Sequence, residues 1–219
     1  MIRLVSLMLT LSLAPISAIA QTQPAADVLA QSLEQRYQRI HDFSADFTHT
    51  YRGGLLRTQA TEQGRMAIKK PGMMRWEYTT PEKKLFVSDG RKIYSYIPQD
   101  RQVIVSDVPA EDEATTPALF LTGKGDIARD FIASYAAASR GLYALKLVPR
   151  RAEQDYEYLV LIVDPATLQI RALTTRDPQG GESTFTFGNL KENQGLSDKD
   201  FVFRIPRGVD VITDGRVSR

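Results

Sequence analysis

The chain has 219 residues, 42% of them hydrophobic and 25% charged, with a formal net charge of +2 at pH 7. Those proportions fit a single globular domain, without the concentrated basic face of a nucleic-acid protein or the long apolar runs of a polytopic membrane protein. Cysteine is absent and histidine occurs only at His41 and His49, which excludes disulfides, thiolate zinc sites, iron–sulfur clusters and a lipidated cysteine, and leaves no metal site or cofactor to expect.

Met1–Ala20 reads as a secretory signal peptide. Arg3 supplies the charged start, Leu4 to Leu13 the apolar run, and Ala18-Ile19-Ala20 the small residues of a cleavage site. Residues 21–219 are then expected to form one exported domain, with a bacterial periplasm as the natural destination. From Asp27 to Ile40, Leu29, Leu33 and Tyr37 recur every four residues, which predicts an amphipathic helix. The period then changes to two: Phe43, Ala45 and Phe47 alternate with Ser44, Asp46 and Thr48, as in a half-buried strand. Further strands are expected over 61–69, 73–79, 84–88, 92–97 and 102–107, with Asp89-Gly90 as a hairpin turn.

The stretch Pro109–Thr116 is acidic and poor in strand formers. Thr116-Pro117 opens a short helix through Leu121, and Asp126 caps a second one carrying Ile127, Phe131, Tyr135 and Ala138, ended by Gly141. Strands resume over 143–149, 156–163, 169–175 and 182–190, with a last piece around Phe201-Val202-Phe203. About ten or eleven short strands at this spacing predict a mainly β fold: an antiparallel sheet that curls into a barrel or part of one, with helices plugging one mouth.

One face of that sheet looks soft and apolar. Beyond the signal, the methionines are Met66, Met73 and Met74, and the single tryptophan is Trp76. Alternation places Met74, Trp76 and Tyr78 on one face; Met66 and Ile68 share a face on the preceding strand, as do Tyr94 and Tyr96 further along. Methionine adapts to varied partners, but periodicity does not separate a filled core from a ligand cavity. The catalytic search is nearly empty: no G-x-S-x-G, H-E-x-x-H, G-x-G-x-x-G or Walker loop occurs. Gly123-Lys124-Gly125-Asp126 reads as a plain loop, the two histidines as surface or packed side chains, and the pairs Asp155/Glu157 and Glu111/Glu113 as solvated charge. Lys70, just before Pro71, is either a loop charge or a cation aimed at the open carbonyls of a lid helix.

The stretch from Gly64 through Lys70-Pro71-Gly72-Met73-Met74-Arg75-Trp76-Glu77-Tyr78 to Leu85-Phe86-Val87-Ser88-Asp89-Gly90 resembles the periplasmic outer-membrane lipoprotein carrier family, LolA. Phe43-Ser-Ala-Asp-Phe-Thr before it, and Thr116-Pro-Ala-Leu-Phe-Leu and Phe201-Val-Phe-Arg-Ile-Pro after it, extend the resemblance over nearly the whole chain past the signal. The resemblance implies an incomplete antiparallel β-barrel with a helical lid. It implies a non-enzymatic, monomeric carrier that takes triacylated lipoproteins from an inner-membrane ABC-type releasing complex and hands them to an outer-membrane acceptor. By position Met74, Trp76 and Tyr94 match cavity-lining sites of the family, and Leu119 and Phe120 its lid helix; with the residues that periodicity adds, the expected acyl-chain cavity is lined by Phe47, Met66, Ile68, Met74, Trp76, Tyr78, Tyr94 and Tyr96, under a lid bearing Leu119, Phe120 and Phe131. Well-studied members carry arginine where this chain has Lys70, so the expected lid latch is a lysine without arginine's planar fork. The alternative on the same fold is a lipid or lipoprotein sensor in envelope-stress regulation.

Overall fold

The computed structural model describes residues 23–53, 58–108, 126–139, 141–213 and 216–218. The expected signal peptide and the expected helix over 116–121 lie outside them. Helix α1 (Ala26–Gln38) comes first, with Asp27 in its first turn and Arg36 in its last, each matched to the local sign of the helix dipole. Leu29, Ala30 and Leu33 are its buried stripe. Six strands follow: β1 (Asp42–Arg52), β2 (Gln59–Lys69), β3 (Met73–Thr80), β4 (Lys84–Asp89), β5 (Lys92–Ile97) and β6 (Gln102–Asp107). A short helix α2 (Ile127–Asp130) leads into β7 (Phe131–Tyr135), β8 (Tyr143–Pro149), β9 (Tyr158–Val163), β10 (Ile170–Arg176) and β11 (Glu182–Glu192). The chain closes with a 3₁₀ turn (Asp198–Phe201), β12 (Asp210–Thr213) and β13 (Arg216–Ser218).

All of these strands form one 13-stranded sheet, in the order β13-β12-β6-β5-β4-β3-β2-β1-β11-β10-β9-β8-β7. Every pairing is antiparallel except β12 with β6. That parallel pair requires a crossover, supplied by the segment between β11 and β12. The ends of the order, β7 and β13, do not pair, so the barrel is incomplete. The sheet nevertheless curls: Trp76 on β3 and Leu145 on β8, well separated in strand order, belong to one buried cluster with Leu29 and Leu33 of α1. Irregular registers at Ser44–Asp46, Gln63–Gly64 and Ile170–Ala172 supply the local bends that curling needs. The hairpin expected at Asp89-Gly90 joins β4 to β5, with Gly90 at φ 91°.

Three expectations are corrected. The second helix was expected to run to Ala138, but α2 stops at Asp130 and the chain continues as β7. A spacing of four is even, so Ile127, Phe131 and Tyr135 fit a strand face as well as a helix stripe; pairing with Leu145 and Leu147 of β8 decides it. The expected strand at Phe201–Phe203 is the end of the 3₁₀ turn and the start of an extended stretch. Finally, β12 and β13 raise the strand count above ten or eleven.

Candidate functional site

The inner wall is set by cross-strand partners. Phe43 stands opposite Ile68 and Ile68 opposite Met74; Ala45 opposite Met66 and Met66 opposite Trp76; Phe47 opposite Gly64 and Gly64 opposite Tyr78. Directly opposed residues share a face, so Phe47, Met66, Ile68, Met74, Trp76 and Tyr78 come together as expected, and all are buried. Phe47 is the hub, with ring centroids 5.1 Å from Trp76, 4.9 Å from Tyr78 and 6.0 Å from Phe185. Its ring occupies the space a side chain at Gly64 would fill: a Cβ there would lie 2.6 Å from Phe47 Cζ and 2.2 Å from the Glu77 carbonyl oxygen. Among the described residues this wall is a packed interior, in one buried cluster with Leu29 and Leu33 of α1 and Leu145, Leu159 and Leu161 of β8 and β9.

One wall atom is not satisfied. Trp76 Nε1 is buried and has no hydrogen-bond partner among the described residues. An orphaned buried donor costs about 1–3 kcal/mol.

Tyr94 and Tyr96 do not belong to the wall. Trp76 pairs with Phe86 and Phe86 with Ser95, whereas Tyr94 pairs with Val87 and Tyr96 with Leu85. The turn at Gly90 thus moves the inward set from even-numbered residues on β3 and β4 to odd-numbered ones on β5, and both tyrosines fall on the outer face. Phe203 lies against them there, with ring centroids at 5.5 and 5.6 Å. The 3₁₀ turn packs on β3 and β4, and Val87 and Val103 on this outer face are fully buried.

Along the strands, beyond Phe47 and Tyr78, the wall turns polar. His49 Nε2 is 2.7 Å from Ser183 Oγ and His49 Nδ1 is 3.1 Å from Glu62 Oε2, while Lys84 Nζ donates to Glu62 Oε1 at 2.6 Å. The His49 ring is stacked on Phe185 at 4.1 Å. Burial lowers the His49 pKa against the opposing pull of Glu62. Burial works to raise that of Glu62, but hydrogen bonds from Lys84 and His49 outweigh it and hold the carboxyl below its usual range. Hydroxyl, imidazole and carboxylate follow one another as in a nucleophile relay, with Lys84 closing the chain. Sequence reading missed this group, since Ser183 is 134 positions from His49 and reaches it only through the β1–β11 pairing.

At the opposite end of the wall, Lys70 Nζ donates to the Tyr37 carbonyl at 2.5 Å and sits 3.8 Å above the Tyr37 ring. The cation meets one helix carbonyl, in the last turn of α1, which also accepts from the Ile40 N–H; the expected lid helix lies outside the described residues. Burial brings its pKa down to about 8. Leu119 and Phe120 lie outside the described residues, and Phe131 is on β7, half-buried against the core instead of on a helix. A hollow of about 640 Å³ is lined in part by Ser44, Asp46, Arg65, Arg75, Glu77 and Asn189. Its charges pair, Arg65 with Asp46 at 3.7 Å and Arg75 with Glu77 at 3.9 Å. Its lining also includes Ala45, Met66 and Leu190, and Trp76 is not part of it.

The family described as outer membrane lipoprotein carrier protein LolA matches residues 38–204. This chain belongs to the LolA family. It is 34% identical to the outer-membrane lipoprotein carrier protein of Chromohalobacter salexigens, covering 92% of each chain. It is 30% identical to that of Bordetella avium, covering 92% of this chain and 95% of the relative. In fold it is similar to an uncharacterized conserved protein from Thermus thermophilus, with a TM-score of 0.53 at 14% identity over 84% of this chain and 96% of the other. The wall of Phe47, Met66, Met74 and Trp76 falls inside the LolA match, as do Lys70 and the His49 chain. Among the described residues no cluster suited to a metal ion is found, and no helix is long and apolar enough to cross a membrane.

Proposed function

We propose that the mature chain is a soluble periplasmic carrier, which binds the acyl chains of triacylated lipoproteins on the inner wall and conveys them from the inner to the outer membrane. The observation that carries this reading is the wall itself: a contiguous apolar face of Phe47, Met66, Ile68, Met74, Trp76 and Tyr78 inside the curled sheet. Each buried CH₂ of an acyl chain is worth about 0.8 kcal/mol, so three long chains do not leave a membrane unaided. A carrier must match that burial and still let go. Thioether and aromatic side chains that repack around different shapes suit the task. In this reading α1 shifts as cargo enters, and Lys70 holds its C-terminal end to the turn between β2 and β3 until then. Release from an inner-membrane ABC-type complex and transfer to an outer-membrane acceptor follow from the family resemblance. The chain works as a monomer without catalysis, and the Ser183–His49–Glu62–Lys84 chain is the polar end of the wall.

Trp76 is the only tryptophan, so its fluorescence reports on the wall alone. Titration with a triacylated peptide whose acyl chains carry bromine is expected to quench it to saturation at one ligand per chain. Binding without quenching would place the acyl chains elsewhere and overturn the assignment of the wall.

A further inference from the structure

The wall holds more than apolar surface. Trp76 Nε1 is a donor with no acceptor among the described residues, on a side chain only 6% exposed. Its ring meets Phe185 edge-on at 5.2 Å, and Phe185 in turn stacks on His49 at 4.1 Å. One aromatic ring therefore separates the orphaned N–H from the Ser183–His49–Glu62–Lys84 chain. We propose that these groups form a polar subsite on the inner wall that takes the carbonyl-bearing head of an acylated ligand, with the Trp76 indole N–H donating to an ester or amide carbonyl oxygen. The inference rests on the carrier reading and adds to it a register for the cargo.

The chemistry follows from what each group can do. Indole nitrogen only donates, so it is satisfied by an acceptor and by nothing in a hydrocarbon tail. An acyl chain brings one acceptor to the apolar wall, the carbonyl at its head. With that oxygen on Trp76, the tail runs over Met66, Met74 and Ile68 toward the α1 end, while the polar body of the ligand lies beside His49, Ser183 and Lys84. The subsite thus selects acyl over alkyl chains and fixes which way the ligand points.

The test compares a triacylated glyceryl-cysteinyl peptide with an analogue whose ester and amide carbonyls are replaced by methylenes. The mature protein is expected to bind the acyl probe about three- to tenfold more tightly than the alkyl one, the range a single hydrogen bond supplies. Trp76→Phe is expected to abolish that preference, so that the variant binds the acyl and alkyl probes equally. Wild-type protein labelled with nitrogen-15 gives a second readout that needs no variant. Its one indole N–H resonance is expected to move downfield with the acyl probe and not with the alkyl probe. Equal affinities with no such movement overturn the subsite and leave the carrier reading standing. Failure of both probes to bind overturns the carrier reading and the subsite with it.

Discussion

Gly64 shows how tightly one residue constrains the wall. The Phe47 ring and the Glu77 carbonyl occupy the space its side chain would need, so Gly64→Ala is expected to cost about 1–3 kcal/mol, the usual range for overpacking. Urea unfolding of the two proteins measures it, and an unchanged midpoint would contradict the packing described. His49 makes a second prediction through its lowered pKa. The unfolded chain takes up a proton near the ordinary imidazole value of about 6.5, before the folded chain does, so stability falls as pH drops below that value. Glu62, also lowered, adds a further loss at more acidic pH, as the carboxyl protonates below its ordinary value. Melting temperature is therefore expected to fall from pH 7 to 5.5 in wild type and to fall less in His49→Asn. An equal fall in both would show that His49 is not the group responsible. At this scale the sequence was only partly informative: alternation alone put Met74, Trp76 and Tyr78 on one face, but Tyr94 and Tyr96 depended on how many residues the Gly90 turn contains. The partners of His49 had no local signal, because Glu62 and Ser183 arrive on two different neighbouring strands.

Among the elements, α1 carries the functional argument. It packs against α2, β7 and β8 and is tied at its C-terminal end to the turn between β2 and β3 by Lys70. Lys70→Met removes both the hydrogen bond to the Tyr37 carbonyl and the cation over the Tyr37 ring. Amide exchange across 26–38 is expected to accelerate several-fold while the β1–β3 core keeps its protection; unchanged exchange in α1 would mean that Leu29, Leu33 and the Arg36–Glu192 pair hold the helix without Lys70. The helix itself was legible from its four-residue stripe, and β1 to β6 from alternation and turn residues. The failure at β7 has a definite cause. Spacing by four satisfies both periods, and only the neighbouring β8, with Leu145 and Leu147 facing the core, selects the strand. β12 and β13 escaped notice because they are short, and β12 is held by a parallel pairing to a strand about a hundred positions earlier.

For the molecule as a whole, the two faces of one curled sheet do different work. The outer face is covered over β3 to β6 by the C-terminal segment, anchored through Phe201 and Phe203 and through the buried Asp42, which accepts from the backbone N–H groups of Gln194, Gly195 and Leu196. On the inner face α1 packs against α2, β7 and β8 and belongs to the same buried cluster as the wall. The most direct test is native mass spectrometry of the mature protein recovered from spheroplasts that overproduce a triacylated lipoprotein. The account predicts a one-to-one adduct with the lipoprotein, lost when Trp76 is replaced by aspartate in a protein that still folds. Bare protein, or an adduct that survives Trp76→Asp, would contradict it.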